Sequence, residues 1–275
     1  MRLPESNEIS ILLEGREGLF MLEDALELVS KLFCSEYYEK HPDYLFVDLK
    51  DKKTIGVDEI TPVIEKGLMK PVLASKAVVV INHMDALTEA AQNKLLLTLE
   101  ESPYLFIIGI SYQNRLLDTV LSRMKRTSYQ PLSQKEFLSV CEGDIDKDDA
   151  VLLFHACSGC PGLIPAMKEE LPMFRAVLNA CLGKRSGLFS ALHLVKEKDK
   201  LAITEHKELI LPVFRIMQHG LLERALRLSS QGDSKGAIGC AKLVRLIEGD
   251  MQVCNSSAYS KDNLFRTICC CVEQG

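Results

Sequence analysis

The stretch AVVVINHMDALTEAAQNKLLLTLEESP, residues 77–103, decides the fold class. Its first five residues, 77–81, are apolar and mostly β-branched, which is typical of a parallel strand that is covered on both faces. Residues 88–101 then carry apolar side chains at helical spacing and predict a helix. A second apolar run at 105–110 predicts the next strand. Strand, helix and strand in this order indicate an α/β domain with a parallel sheet.

The same alternation extends from this stretch to the N-terminus. The predicted elements are a strand at 9–13, a helix at 22–33, a strand at 44–47 and a helix at about 57–66. The turn between the first strand and its helix contains glycines, and a His-Pro-Asp turn precedes the second strand. Residues 1–130 are therefore predicted to form one α/β domain.

The strand pattern stops after Pro131. The remaining sequence reads as helices that are interrupted by clusters of Gly, Pro and Ser, such as residues 158–162 and 229–234. We predict a small helical lid domain at 131–172 and a larger, all-helical C-terminal domain at 173–275.

Composition limits the kind of protein that this chain can be. The 275 residues are 47% hydrophobic, which is enough for a buried core, and the formal charge is −5 without a block of Lys or Arg. That balance does not suit a protein that binds duplex DNA by itself. The ten cysteines lie mostly in apolar helical settings, which fits a reducing compartment. Since no run of about 18 apolar residues occurs, we expect a cytoplasmic protein without a membrane segment.

Four ordered blocks of sequence resemble the core of the AAA+ clamp-loader family. They are residues 55–60, 77–85, 88–103 and 121–123. The resemblance implies an AAA+-type parallel-sheet domain, a helical lid and a C-terminal helical collar through which subunits assemble into a hetero-oligomeric ring.

The family's phosphate-binding loop is degenerate in this chain. The motif G-x-x-x-x-G-K-[ST] holds phosphates with backbone amides and a lysine, and its hydroxyl binds magnesium. The corresponding run, GREGLFML, begins at Gly15 and has Phe20, Met21 and Leu22 where the second glycine, the lysine and the hydroxyl belong. Gly15 and Gly18 remain as turn residues. We therefore predict no nucleotide cofactor.

The family's hydrolytic residues are also replaced. After the strand at 77–81 the family places an Asp for magnesium and a Glu that activates water, but this chain has Asn82 and His83. Asp85 lies too far along the chain for the magnesium position and is expected to serve the following turn. In the lid, Leu163 replaces a basic residue that would contact phosphate. These changes predict no intrinsic ATPase activity; the alternative is an active NTPase with an unusual site.

One functional motif of the family is intact. Ser122, Arg123 and Met124 match its Ser-Arg-Cys motif, and the resemblance implies that Arg123 acts as an arginine finger in the ATP site of a neighbouring subunit. The implied partners are gamma/tau-type ATPase subunits and a delta subunit of DNA polymerase III, with indirect contact to the sliding clamp and primer-template DNA. The alternative for Arg123 is an ordinary surface ion pair.

The cysteines are the candidate metal ligands of this sequence. Many relatives carry a cysteine-rich zinc module after the first helix, but this chain has only Cys34 there, and one Cys cannot make a four-coordinate site. Cys157 and Cys160 have a C-x-x-C spacing that would suit a thiol redox or metal protein. Because no second pair lies nearby, we predict that both are structural and that the chain binds no metal.

Overall fold

The computed structural model describes residues 10–49, 52–184 and 207–253, and the chain divides between Pro131 and Leu132 into two units. Each unit has a hydrophobic cluster of its own. The N-terminal unit contains the strands and helices that were predicted for the α/β domain, and the predicted bounds of that domain, 1–130, stay a prediction.

The N-terminal unit alternates strands and helices around a five-stranded sheet. In chain order its elements are β1 (Ile11–Glu14), α1 (Met21–Phe33), β2 (Tyr44–Val47), α2 (Val57–Leu68), β3 (Ala77–Ile81), α3 (Glu89–Glu101), β4 (Leu105–Ser111), α4 (Asp118–Leu121) and β5 (Lys125–Ser128). The strand order is β2-β3-β4-β1-β5 and every pair is parallel. The predicted AAA+-type α/β fold is confirmed.

The edge strand β5 was absent from the predictions. Its sequence, KRTS, is polar and largely exposed, so it lacks the apolar pattern that marks β3 and β4. It pairs only with β1, and Arg126 on it forms a bidentate ion pair with Glu14 at 2.7 and 3.1 Å. Charged residues on an edge strand discourage pairing with another chain.

Helices cover both faces of the sheet. One hydrophobic cluster joins α2, α3 and α4 to the sheet through residues such as Leu12, Val79 and Ile107. Helix α1 contacts β3 and β4, but none of its residues belongs to that cluster. This is expected, because the right-handed crossover from β1 to β2 crosses the sheet in the direction opposite to the crossovers from β2 to β3 and from β3 to β4. The helices that follow the adjacent strands β1 and β4 therefore lie on opposite faces of the sheet. Such a switch point is where open α/β sheets bind ligands.

The C-terminal unit is helical throughout its described residues, as predicted. Its helices are α5 (Gln134–Cys141), α6 (Lys147–Cys157), α7 (Ile164–Lys168), α8 (Leu171–Cys181), α9 (Lys207–Ser230) and α10 (Ser234–Val253). One cluster includes Phe137, Phe174 and Phe214, so helices on both sides of residue 172 share a core. The division into a lid at 131–172 and a collar at 173–275 stays a prediction.

No single helix within the described ranges has the length and apolar composition to cross a membrane. Helix α6 and the segment Pro161–Lys168 meet that criterion only as a pair, which is bent by 107°. Six residues of α6 are buried, most of them in the core of the C-terminal unit.

A buried carboxylate fixes the loop between α2 and β3. Asp43, which is 2% exposed, accepts hydrogen bonds from the backbone N–H groups of Val72, Leu73 and Ala74 at 2.7, 2.8 and 2.9 Å. Burial favours the protonated carboxyl, but these three bonds outweigh it and hold the pKa of Asp43 below its ordinary value. The ionised form of Asp43 therefore stabilises the fold.

Replacing Asp43 with Asn should lower the free energy of unfolding at pH 7 by about 1–3 kcal/mol, since an amide offers one oxygen to three donors. Because the folded-state pKa is depressed, the contribution is complete above the unfolded value of about 3.9 and is lost as the pH falls through the folded value. Urea unfolding from pH 7 to pH 3 should show the deficit shrinking in acid. Asp58→Asn, at an exposed position of α2, is the control. A deficit that is independent of pH would contradict this role.

Candidate functional site

The positions that the sequence analysis predicted to be a degenerate nucleotide site meet at the switch point between β1 and β4. The backbone N–H of Gly15, just after β1, donates to the carbonyl of Ser111 at the end of β4, at 3.1 Å. The ring of His83, which follows β3, lies 4.7 Å from the ring of Tyr112, which follows β4. The structure therefore brings together the segments that the sequence singled out, at the edge of the sheet where ligands of this fold class bind.

Apolar side chains occupy the phosphate-loop segment, residues 15–22. Met21 begins α1 and is only 1% exposed, and Leu19 is buried as well. A Cβ on Gly15 would lie 2.9 Å from Cβ of Tyr129 and 3.0 Å from Sδ of Met21, so close packing requires glycine there. Gly18 has a φ of 82°, which favours glycine. Both glycines serve the turn, and methionine fills the position where a phosphate-binding lysine would stand.

Asn82 joins the carboxyl ends of three neighbouring strands. Its Nδ2 donates to Oδ2 of Asp48 at 3.0 Å, and its Oδ1 accepts from the Tyr112 hydroxyl at 3.1 Å. Its backbone N–H donates to the carbonyl of Val47 at 2.9 Å. Asn82 is buried, and these bonds use its side chain as both donor and acceptor. Asn82, which the sequence analysis placed at the family's magnesium position, is thus a neutral side chain bonded to the Asp48 carboxylate and the Tyr112 hydroxyl.

The turn after β3 adds two further contacts to this network. His83 has a left-handed backbone with a φ of 52° and begins a short 3-10 turn at Met84–Ala86. Asp85 is buried, and its Oδ1 accepts from the backbone N–H of Tyr112 at 3.0 Å. Asp85 therefore ties the turn after β3 to the chain after β4.

The charge around this site is negative. Burial raises the pKa of Tyr112 to about 12, and the next contributions are the negative charges of Glu17, Glu23, Asp48 and Asp85. Glu23 lies in the first turn of α1, where the helix dipole would otherwise favour a phosphate. Four carboxylates close enough to affect one phenol oppose the binding of a triphosphate.

Asp48 and Tyr112 were missed by the sequence analysis. Each directly follows a strand, at the same edge as Asn82, and that position is the signal that could have identified them. The family motif identifies only residues 82 and 83, whereas the hydrogen-bond partners of the Asn82 side chain lie 34 and 30 residues away in sequence.

A buried glutamine connects this region with helix α4. Gln92 on α3 donates to the carbonyl of Leu87 at 3.1 Å and accepts from the backbone N–H of Leu117 at 2.8 Å. Leu117 is the N-terminal cap residue of α4. The start of α4 is therefore tied to α3, and α4 leads directly to Ser122 and Arg123.

Arg123 lies at the amino ends of the strands, whereas the phosphate-loop segment lies at their carboxyl ends. It precedes β5, whose first residue, Lys125, is in register with Ile11 at the start of β1. The phosphate-loop segment instead follows the end of β1. The two regions are separated by at least the length of this strand, about 10–13 Å for four residues.

The Arg123 side chain is held by groups of its own chain. Its Nε and Nη2 both donate to Oε1 of Glu100, and Nη1 donates to the carbonyl of Thr119 at 2.6 Å and to Oγ of Ser122 at 3.3 Å. Met124, the next residue, is buried in the hydrophobic cluster and anchors the segment. The isolated chain thus contains the ion pair that was the alternative reading of Arg123.

The three residues of the C-terminal unit that the sequence analysis named lie in its core or pack against it. Leu163 packs against the hydrophobic cluster, and the thiols of Cys157 and Cys160 are buried. Burial, followed by the nearby Cys160 and Cys141, raises the pKa of the Cys157 thiol to about 12. A protonated, buried thiol is a poor nucleophile and a poor metal ligand. Across the described ranges, no group of three or more His, Cys, Asp or Glu side chains is arranged to hold a metal ion.

Comparison with known proteins identifies relatives of the N-terminal unit. The family described as "DNA polymerase III, delta subunit" matches residues 5–133. The DNA polymerase III subunit delta' of Bacillus subtilis is 30% identical over 141 residues, which cover 45% of this chain and 43% of that protein. The Escherichia coli subunit delta' is 32% identical over 132 residues, covering 46% and 40%. The matched region therefore spans less than half the length of these relatives.

One solved structure resembles the chain over its whole length. It is a DNA polymerase III gamma subunit-related protein from Thermotoga maritima, with a TM-score of 0.55 and 21% identity over 98% of this chain and 96% of that one. At this identity the likeness concerns the fold, which agrees with the α/β domain followed by helices.

Restoring an acidic residue at position 82 should damage the fold. In Asn82→Asp the new carboxylate would face Asp48, whose oxygen lies 3.0 Å from Asn82 Nδ2 in the native chain. Two carboxylates in one site raise a folded-state pKa, so the deficit should grow as the pH rises above about 4 and reach about 2 kcal/mol at pH 7.

Thermal unfolding between pH 4 and pH 8 measures this effect. Asn82→Ala is the control, because it removes the same hydrogen bonds without adding a charge, and its deficit should be nearly constant with pH. Asn82→Asp that is as stable as the native chain at pH 8 would show that the network does not exclude charge.

Proposed function

We propose that this chain, whose N-terminal unit is similar to DNA polymerase III subunit delta', is a non-hydrolysing subunit of a sliding-clamp loader. In this role it binds no nucleotide of its own and supplies Arg123 to the ATP site of a neighbouring subunit. The observation that carries the proposal is the contrast between two edges of one sheet: the nucleotide positions at one edge are filled, and the arginine at the other edge is intact.

The filled edge supports a chain without ATPase activity. Met21 is buried where a lysine would bind phosphate, and Asn82 is engaged by Asp48 and Tyr112. The four carboxylates near Tyr112 add an electrostatic barrier to a triphosphate. Hydrolysis needs magnesium, a phosphate-binding cation and a residue that positions water, and the family positions for these functions hold Asn82, Met21 and His83 in this chain.

The position of Arg123 supports an action in trans. A side chain at the amino edge of the sheet cannot contact phosphates held at the carboxyl edge of the same domain, because at least the length of β1 separates them. The side chain is 31% exposed, so a neighbouring subunit has access to it. A guanidinium matches phosphate oxygens with a planar, permanently charged fork.

The proposed assembly follows from the family resemblance. The neighbour that receives Arg123 would be a gamma/tau-type ATPase, and a delta subunit would complete the hetero-oligomeric ring. The C-terminal helices would form the collar that holds the subunits together. Contact with the clamp and with primer-template DNA would be shared with these partners, in the cytoplasm.

The isolated chain should show no saturable binding of magnesium-ATP in the micromolar range, because the phosphate-loop segment has the buried Met21 in place of the phosphate-binding lysine and its surroundings are negative. Isothermal calorimetry on the purified chain measures this, with a gamma/tau-type subunit as the positive control. A micromolar dissociation constant would overturn the assignment of a degenerate site.

Arg123→Ala should leave folding and assembly intact and slow ATP hydrolysis at the single interface that Arg123 serves. Arginine fingers contribute about 10³–10⁵ in rate in GTPases, so turnover at this interface should fall by at least about tenfold, and clamp loading should fall more than total ATPase. Arg123→Lys should rescue poorly, because an ammonium lacks the bidentate fork.

The measurement is clamp-stimulated ATPase and clamp loading by the reconstituted loader, with thermal melting of each variant. Arg126→Ala is the matched control, since Arg126 is a nearby arginine that pairs with Glu14 on the same sheet. If a folded Arg123→Ala loader works at the native rate, Arg123 has no role in trans.

A further inference from the structure

Most of the hydrogen-bonding capacity of Arg123 is used inside its own chain. A guanidinium carries five N–H groups. Nε and Nη2 of Arg123 donate to one oxygen of Glu100, while Nη1 donates to Thr119 and Ser122, so four N–H groups have acceptors. The edge of the guanidinium formed by Nε and Nη2 is one that a phosphate would also engage. Arg123 therefore cannot bind a phosphate through that edge without giving up Glu100.

The position of Glu100 is fixed by contacts that do not involve Arg123. It lies in the last turn of α3, and the C-terminal end of this helix is held by Ser102, whose hydroxyl donates to the carbonyl of Gly67 at 2.7 Å. The start of α3 is tied to α4 through Gln92. Glu100 and Thr119 are thus presented to Arg123 by two packed helices.

The ion pair is weak enough to be exchanged. The side chains of Arg123 and Glu100 are 31% and 42% exposed, and an exposed pair of this kind changes an equilibrium only about two- to fivefold. A triphosphate carries more negative charge than one carboxylate and accepts several hydrogen bonds, so it is the stronger partner. Glu100 would delay the engagement of Arg123 without preventing it.

We propose that Glu100 is a positioning residue that holds Arg123 against its own domain and releases it when the neighbouring subunit presents ATP. The inference rests on the proposed function of Arg123. It adds that the Glu100 carboxylate and the neighbour's triphosphate compete for the guanidinium of Arg123. Glu100 lowers the kcat/KM for ATP at this interface, because Arg123 must leave Glu100 before it stabilises the transition state.

The test is Glu100→Gln in a reconstituted loader in which only the ATPase subunit next to this chain keeps a working site. Glutamine preserves the length and one acceptor oxygen but removes the charge. The kcat/KM for ATP at this interface should rise about two- to fivefold, since the cost of releasing Arg123 is removed. Glu101→Gln, a change at the adjacent exposed residue, is the matched control and should leave kcat/KM unchanged.

The double variant Glu100→Gln, Arg123→Ala separates this inference from the function on which it rests. If the competition is real, Glu100→Gln has no effect once Arg123 is absent. A rise that persists in the Arg123→Ala background, or an unchanged or lower kcat/KM in the single variant, would overturn the role of Glu100. Native turnover by Arg123→Ala alone would overturn the proposed function itself. General damage to the fold lowers kcat/KM and so gives the opposite sign.

Discussion

The N-terminal unit depends on the parallel pairing of β1 between β4 and β5. The carboxyl ends of parallel strands lie on the same side of the sheet, so the segments after β1, β3 and β4 meet there. Arg123, two residues before β5, lies at the amino ends of the strands. This constraint separates the phosphate-loop segment from Arg123 in every state that keeps the sheet intact. In the proposed ring such a subunit would face two neighbours with different chemistry, and the loss of nucleotide binding at the carboxyl ends of the strands would leave the amino ends unaffected.

At the carboxyl edge, protein groups have replaced the interactions that a nucleotide would make. Buried methionine and leucine fill the loop interior, and Asn82 is bonded to Asp48 and Tyr112. A domain whose site is closed by its own side chains gains no stability from a bound ligand and needs none to keep its conformation. The place of Arg123 in the fold would therefore not depend on ATP bound to this chain, which suits the proposed action on a neighbour's ATP.

Local patterns predicted much of the fold and less of the site. The apolar runs of β2 and β3 and the spacing of α3 predicted those elements to within a residue, because each pattern lies in adjacent residues of the sequence. Strand β5 was missed because a polar edge strand carries no such pattern. Glu100 was missed because its contact with Arg123 joins residues 23 apart, and only the packing of α3 on α4 brings them together. Family motifs identified Arg123, but they did not indicate what holds it.

The most direct test of this account is a structure of the assembled loader with a non-hydrolysable ATP analogue. The account predicts that the guanidinium of Arg123 lies about 2.7–2.9 Å from a phosphate oxygen in the neighbouring subunit, and that no nucleotide lies against residues 15–22. A nucleotide bound to this segment would contradict it. So would an Arg123 that still contacts only Glu100 while the neighbouring site holds a triphosphate.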